Sequence, residues 1–204
     1  MTEHSNKKVL IISMEKCGTT TIMHTLQGAG IEVGRIHRHN IYDVNIDDYQ
    51  YFIIPVREPV AKSLSNYFEC AYNANLLLDL VNEIKFTINF FDFVVYPLLK
   101  TDVLNYYYSA KVDWFVIPPI EPKILTIKVE SFNDELANAL SILLDMPQNR
   151  FIVEHRAKGV VRFGSSYPKA VKEFVIDGGV LQEIAKSKYC KVFGYDKEIT
   201  KWIK

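Results

Sequence analysis

The chain has 204 residues, 49% hydrophobic and 24% charged, enough apolar material for one globular domain to bury its own core. Its 24 Lys and Arg balance 24 Asp and Glu, so the net charge is zero. That argues against a general nucleic-acid binder and requires any anion site to be local. Cys17, Cys70 and Cys190 are three, widely spaced and without a CxxC pair, which argues against a disulfide framework and a zinc site and fits a reducing cytoplasm.

The polar start, MTEHSNKK, reads as a flexible tail over residues 1–7, and no run is long enough for a signal segment or a membrane span, so a cytoplasmic protein is expected. Lys8–Ser13 (KVLIIS) is a short continuous apolar run, as in a parallel strand buried on both faces. A helix is predicted over Thr19–Gln27, closed by Gly28 and Gly30. Ile31–Ile36 and Tyr51–Val56 read as strands, the second with an unusual Pro55. Pro59 opens a helix to about Asn73.

Asn75–Lys85 is predicted helical, whereas Asn89–Tyr108 is aromatic-rich and has no clean period. Lys123–Val129 reads as a strand, and Asn133–Leu144 as an amphipathic helix with Asn133 as its cap. Two more helices are expected at Pro168–Ile176 and Gly179–Ser187. Strand and helix alternate without a repeat or linker, which predicts a single α/β domain with a mainly parallel sheet sandwiched between helices.

The segment after the first strand, Ser13-Met14-Glu15-Lys16-Cys17-Gly18-Thr19-Thr20-Thr21, carries a lysine, a glycine and three threonines at a helix start. In an open parallel sheet, ligands collect at the carboxyl ends of strands. A helix N-terminus there presents unpaired N–H groups to a phosphate or sulfate. Gly18 permits close approach, the threonines add hydroxyls, and Lys16 adds a point charge. The Walker pattern GxxxxGK[ST] is not met, because Thr19 follows Gly18 and Ser13 stands at the first glycine.

The order Lys-x-Gly-Thr-Thr resembles instead the 5′-phosphosulfate loop of sulfotransferases that use 3′-phosphoadenosine 5′-phosphosulfate (PAPS). The resemblance implies that Lys16, Cys17, Gly18, Thr19, Thr20 and Thr21 bind the donor, with Lys16 also catalytic. It implies a 3′-phosphate site as well, made by an arginine after a later strand and a serine eight residues on. Arg57 and Ser65 have that spacing after Tyr51–Val56. Arg57 offers a planar fork to such a phosphate.

Between these motifs stands Arg35-Ile36-His37-Arg38-His39-Asn40, similar to the His-x-His stretch of hexuronyl 2-O-sulfotransferases. This implies His37 and His39 at the site, one as the base for the acceptor hydroxyl, with His39 preferred and Glu15 as an alternative. Ile124–Phe132 and Leu181–Tyr195 are similar to the late strand and the Phe-Tyr ending of carbohydrate sulfotransferases. Length and the Asn89–Asp92 region resemble bacterial capsular polysaccharide synthesis proteins of that superfamily. Arg156 and Lys158, in Arg-Ala-Lys-Gly, resemble an interrupted form of the family's basic loop over the 3′-phosphate. Thr21 replaces the adenine-stacking tryptophan of cytosolic members, which leaves the adenine platform open.

The resemblance thus implies a single sulfotransferase-like domain. PAPS would be the donor, 3′-phosphoadenosine 5′-phosphate (PAP) the product, and the acceptor a hydroxyl, with carbohydrate the implied class. The scheme needs no metal. A P-loop nucleotide-dependent kinase and an inactive PAP-binding protein are the alternatives. Tyr106, Tyr107, Tyr108 and Trp114 are read either as sugar-stacking residues or as core. Oligomeric state stays open.

Overall fold

A computed structural model describes residues 7–37, 44–74, 79–107, 113–117, 122–154 and 176–202. The chain divides into two compact units, Met1–Val56 with Val112–Arg156, and Arg57–Lys111 with Ala157–Lys204.

The first unit holds β1 (Lys8–Ile12), β2 (Glu32–Ile36), β3 (Tyr51–Val56), β4 (Trp114–Ile117) and β5 (Lys123–Lys128) in one sheet of order β2-β1-β3-β5-β4. Neighbours are parallel except β4, which runs antiparallel to β5. Among the described residues the fold is therefore α/β with a mainly parallel sheet. β1 and β3 lie inside the sheet, which is why their sequences carry apolar side chains without alternation. Val9, Ile11, Ile53, Leu125 and Ile127 point into a cluster with Ile22 and Leu26 of α1 (Thr19–Gly28) and Leu136, Leu140 and Leu143 of α5 (Phe132–Leu144). Leu10, Ile12, Phe52, Ile54 and Ile124, at the alternating positions, are buried too.

Pro55 fits because the β1–β3 ladder ends at Ile11–Ile53, two residues before it, while pairing with β5 continues through Pro55–Ile127. The missing N–H falls where β3 has only one partner strand. Tyr49 lies against β2 so closely that a Cβ on Gly34 would come within 2.2 Å of its hydroxyl, which explains a glycine in mid-strand. Since β2 lies on one side of β1 and β3 on the other, the strand order reverses at β1, where an open α/β sheet places its ligand crevice. β4, four residues long, has too little pattern to be read from sequence.

The second unit holds α2 (Pro59–Ala74), α3 (Leu80–Ile88), a π-helical turn at Phe91–Val95 running into α4 (Tyr96–Leu99), then α6 (Gly178–Lys186), α7 (Lys188–Phe193) and α8 (Tyr195–Glu198). Pro59 takes the first helical position of α2, as its fixed φ favours. α3 begins five residues later than the sequence suggests, because the Asp79 carboxylate accepts from the N–H groups of Val81 and Asn82 and sets the start. α5 begins one residue before Asn133, behind Ser131, and no side chain caps it, so Asn133 is not the cap. Of the expected tail only Lys7 is described, and its ammonium donates to the Leu144 carbonyl. The helix expected at Pro168–Ile176 lies outside the described residues except for Ile176.

Candidate anion-binding site

β1 ends at Ile12, and the Ser13 N–H still donates to Ile36 O at 3.0 Å. The following loop therefore starts beside the end of β2. It turns through two left-handed residues, Lys16 (φ 65°) and Gly18 (φ 69°). For glycine this is free, but for lysine it costs about 1–2 kcal/mol. Such strain persists where the surroundings over-determine a conformation, a feature that clusters at ligand sites. The ring of Phe132, the first residue of α5, backs the loop. A Cβ on Gly18 would lie 2.5 Å from its Cε2.

Gly18 is the N-cap of α1. Among the described residues no side chain caps that end, and its first turn has no acidic residue. The amides of Thr19 and the residues after it thus keep the donor character and partial positive charge of a helix start. Thr19 is 6% exposed, and its Oγ1 lies 3.4 Å from Ser13 Oγ. Thr21 is buried and Thr20 partly exposed, so Thr20 is the most accessible of the three hydroxyl residues. Cys17 is wholly buried, which leaves its backbone as the part suited to a ligand.

His37 directly follows β2, so the sheet carries it to the same loop. Its Nδ1 lies 3.2 Å from both Ser13 Oγ and Ser13 O. A neutral ring that donates from Nδ1 to the Ser13 carbonyl carries its lone pair on Nε2, the form a general base needs. Ser13 thus joins Thr19 and His37. Sequence reading noted Ser13 only as a missing glycine, and its link to His37 depends on strand pairing that no local pattern encodes. His39, the preferred base, lies outside the described residues, as do Arg156 and Lys158.

The second unit carries Arg57 and Ser65. Arg57 is half-buried, and its backbone is held at both ends by one phenol: Arg57 N–H donates to Tyr189 Oη at 3.1 Å, and Tyr189 Oη donates to Arg57 O at 2.8 Å. Glu58 turns its carboxylate onto α2, Oε1 accepting from Val60 N at 3.0 Å and Oε2 from Ala61 N at 2.7 Å. The start of α2 is therefore neutralised by its own chain, unlike that of α1. Ser65 lies on α2 at 8% exposure. Beside it, the wholly buried Lys62 ammonium pairs with Glu83 of α3, whose Oε1 also accepts from Asn66 Nδ2 at 3.0 Å. This buried pair fixes α2 against α3.

Of the aromatic residues read as sugar platforms or core, Trp114 is core-side. It is half-buried in β4 against the first unit's apolar cluster, and its Nε1–H donates to Glu135 Oε2 at 2.8 Å. Tyr106 is 49% exposed. Among the described residues no group of three His, Cys, Asp or Glu could hold a metal ion, and no helix is long and apolar enough to cross a membrane. Comparison with family models, curated proteins and solved structures finds no match.

Proposed function

We propose that the chain is a sulfotransferase that moves a sulfuryl group from PAPS to a hydroxyl, of a carbohydrate. The observation that carries the reading is the start of α1: a glycine cap without a side-chain partner, preceded by a left-handed lysine and beside a histidine held by Ser13. Those residues suit a sulfated or phosphorylated group. The second anionic group of the donor falls to Arg57 and Ser65 on the resemblance of their spacing. A sulfotransferase three-layer fold and a carbohydrate acceptor likewise come from the resemblance.

When bound, the donor supplies the sulfuryl group. Lys16 then meets the negative charge that builds on the bridging oxygen as the group departs, and the α1 amides hold the 5′ end. His37 Nε2, or His39, takes the acceptor proton. Positioning supplies most of the rate, as in phosphoryl transfer.

Two features favour this over a magnesium-dependent nucleoside-triphosphate enzyme. Lys16 precedes Gly18, and Thr19 stands where a Walker loop has its lysine. The test is calorimetric titration with PAP. Saturable binding is expected, weakened about 10- to 100-fold by Arg57→Ala, the loss of a hydrogen bond to a charged group. No PAP binding, with a thermal shift from ATP and Mg²⁺, would replace this reading with the kinase one. PAP binding without transfer of labelled sulfate to any glycan would leave a binding protein.

A further inference from the structure

We propose that Tyr189 is a positioning residue for Arg57, fixing the backbone from which the guanidinium is presented to the donor's 3′-phosphate. The inference rests on the reading of Arg57 given above and adds a residue to it. Tyr189 lies 132 positions away in sequence and is wholly buried. Its single hydroxyl uses both capacities on one residue, accepting from Arg57 N–H at 3.1 Å and donating to Arg57 O at 2.8 Å. These are the two backbone groups on either side of the Arg57 Cα. Holding both restricts φ and ψ there, and so the direction in which the side chain leaves the chain.

The tyrosine is itself fixed from several sides. Its ring packs on Phe91 (centroids 6.1 Å apart), Phe193 (5.1 Å) and Tyr195 (5.9 Å). Its helix, α7, starts at a Ser187 hydroxyl that accepts from Cys190 N at 3.2 Å. Next to it, Lys188 binds both carboxylate oxygens of Asp102, at 3.0 and 3.1 Å. Gly194 ends the helix in the left-handed conformation, φ 71°. The C-terminal helices thus hold one phenol in place, and that phenol holds the residue just after β3. A ring without the hydroxyl would pack the same way and leave Arg57 without either bond.

The test compares wild type, Tyr189→Phe, Arg57→Ala and the double variant, each titrated with PAP and with 5′-AMP, which differ by the 3′-phosphate. Tyr189→Phe is expected to weaken PAP binding about tenfold, as misplacement of a positioned group does. It should leave 5′-AMP binding unchanged and add nothing in the Arg57→Ala background. A merely structural role would weaken both ligands, or weaken PAP equally in both backgrounds, and either result overturns the proposal. Unchanged PAP affinity in Tyr189→Phe, with wild-type binding that depends on Arg57, overturns this proposal and spares the reading of Arg57. Failure of wild type to bind PAP overturns both. If Tyr189→Phe does not fold, amide exchange in the wild type decides. Protection of the Arg57 N–H should rise with PAP and not with 5′-AMP, and an equal response to both refutes the link.

Discussion

Gly18→Ala tests whether the loop's shape is set by the backbone and by Phe132 together. Two terms oppose the substitution. Alanine at φ 69° pays the left-handed penalty of about 1–2 kcal/mol. Its Cβ would also sit 2.5 Å from Phe132 Cε2, so the ring must shift. Phe132 is 3% exposed within the apolar cluster, and overpacking there adds about 1–3 kcal/mol. The reduced freedom of the unfolded chain returns about 0.4–1 kcal/mol. The net loss is about 1–4.5 kcal/mol, read as the shift in the urea midpoint at constant slope. In a Phe132→Leu background the clash shrinks, and the same substitution should cost only about 0–1.5 kcal/mol, the backbone part less the unfolded-chain offset. A Gly18→Ala protein within about 0.5 kcal/mol of wild type, or an equal cost in both backgrounds, refutes the reasoning.

Lys62→Met leaves the Glu83 carboxylate, 5% exposed, without its ammonium, and should destabilise by about 3–5 kcal/mol, whereas Lys62→Met/Glu83→Gln, which keeps an acceptor for Asn66 and removes the unpaired charge, should recover most of that loss. Denaturant unfolding checks this, and a double variant no more stable than the single one would show that the pair is not the issue. Cys190 gives a pH dependence. Burial first of all pushes its thiol from 9.0 up to about 12, so the folded state keeps it neutral while the unfolded chain ionises. A raised value means the contribution is whole below pH 9.0 and is lost as pH climbs toward about 12. Over that window wild type should lose about 1.4 kcal/mol per pH unit more than Cys190→Ala, measured by urea midpoints. Parallel pH profiles for the two proteins would refute it.

The sequence was legible where one local rule governs. The apolar runs at β1, β3 and β5 lie in the interior of a parallel sheet, and their bounds agree with the pattern to within a residue. Pro59 marks the start of α2 for a reason that needs no tertiary contact. The stretch from Asn89 to Tyr108 was opaque because its backbone changes rule three times. A π-helical turn at Phe91–Val95 breaks the 3.6-residue period, a left-handed Lys100 (φ 52°) ends α4, and a 3₁₀ segment follows at Val103–Tyr107. At the site, Lys16, Gly18 and His37 were nameable as residue types in order. Ser13, Phe132 and Tyr189 were not, since each acts through a partner that only the fold brings close.

The helix starts that follow β1 and β3, taken each by itself, offer an anion different things. After β1, the helix start is left to a glycine, so backbone amides and the helix dipole share the work with Lys16. After β3, Glu58 places both carboxylate oxygens on the first amides of α2, which cancels the dipole's pull on an external anion. On the proposed function, an anion at that end would be held by side chains, and Arg57, with its planar fork, is the group suited to it. The same logic explains where rigidity is placed. A backbone site is preorganised by the helix that makes it, whereas a side-chain site would need its backbone anchored separately, and Tyr189 holds the Arg57 backbone at both N–H and C=O. On the proposed function, substituting Arg57 would therefore remove that end's capacity, whereas substituting Lys16 would remove a charge from a loop whose amides remain.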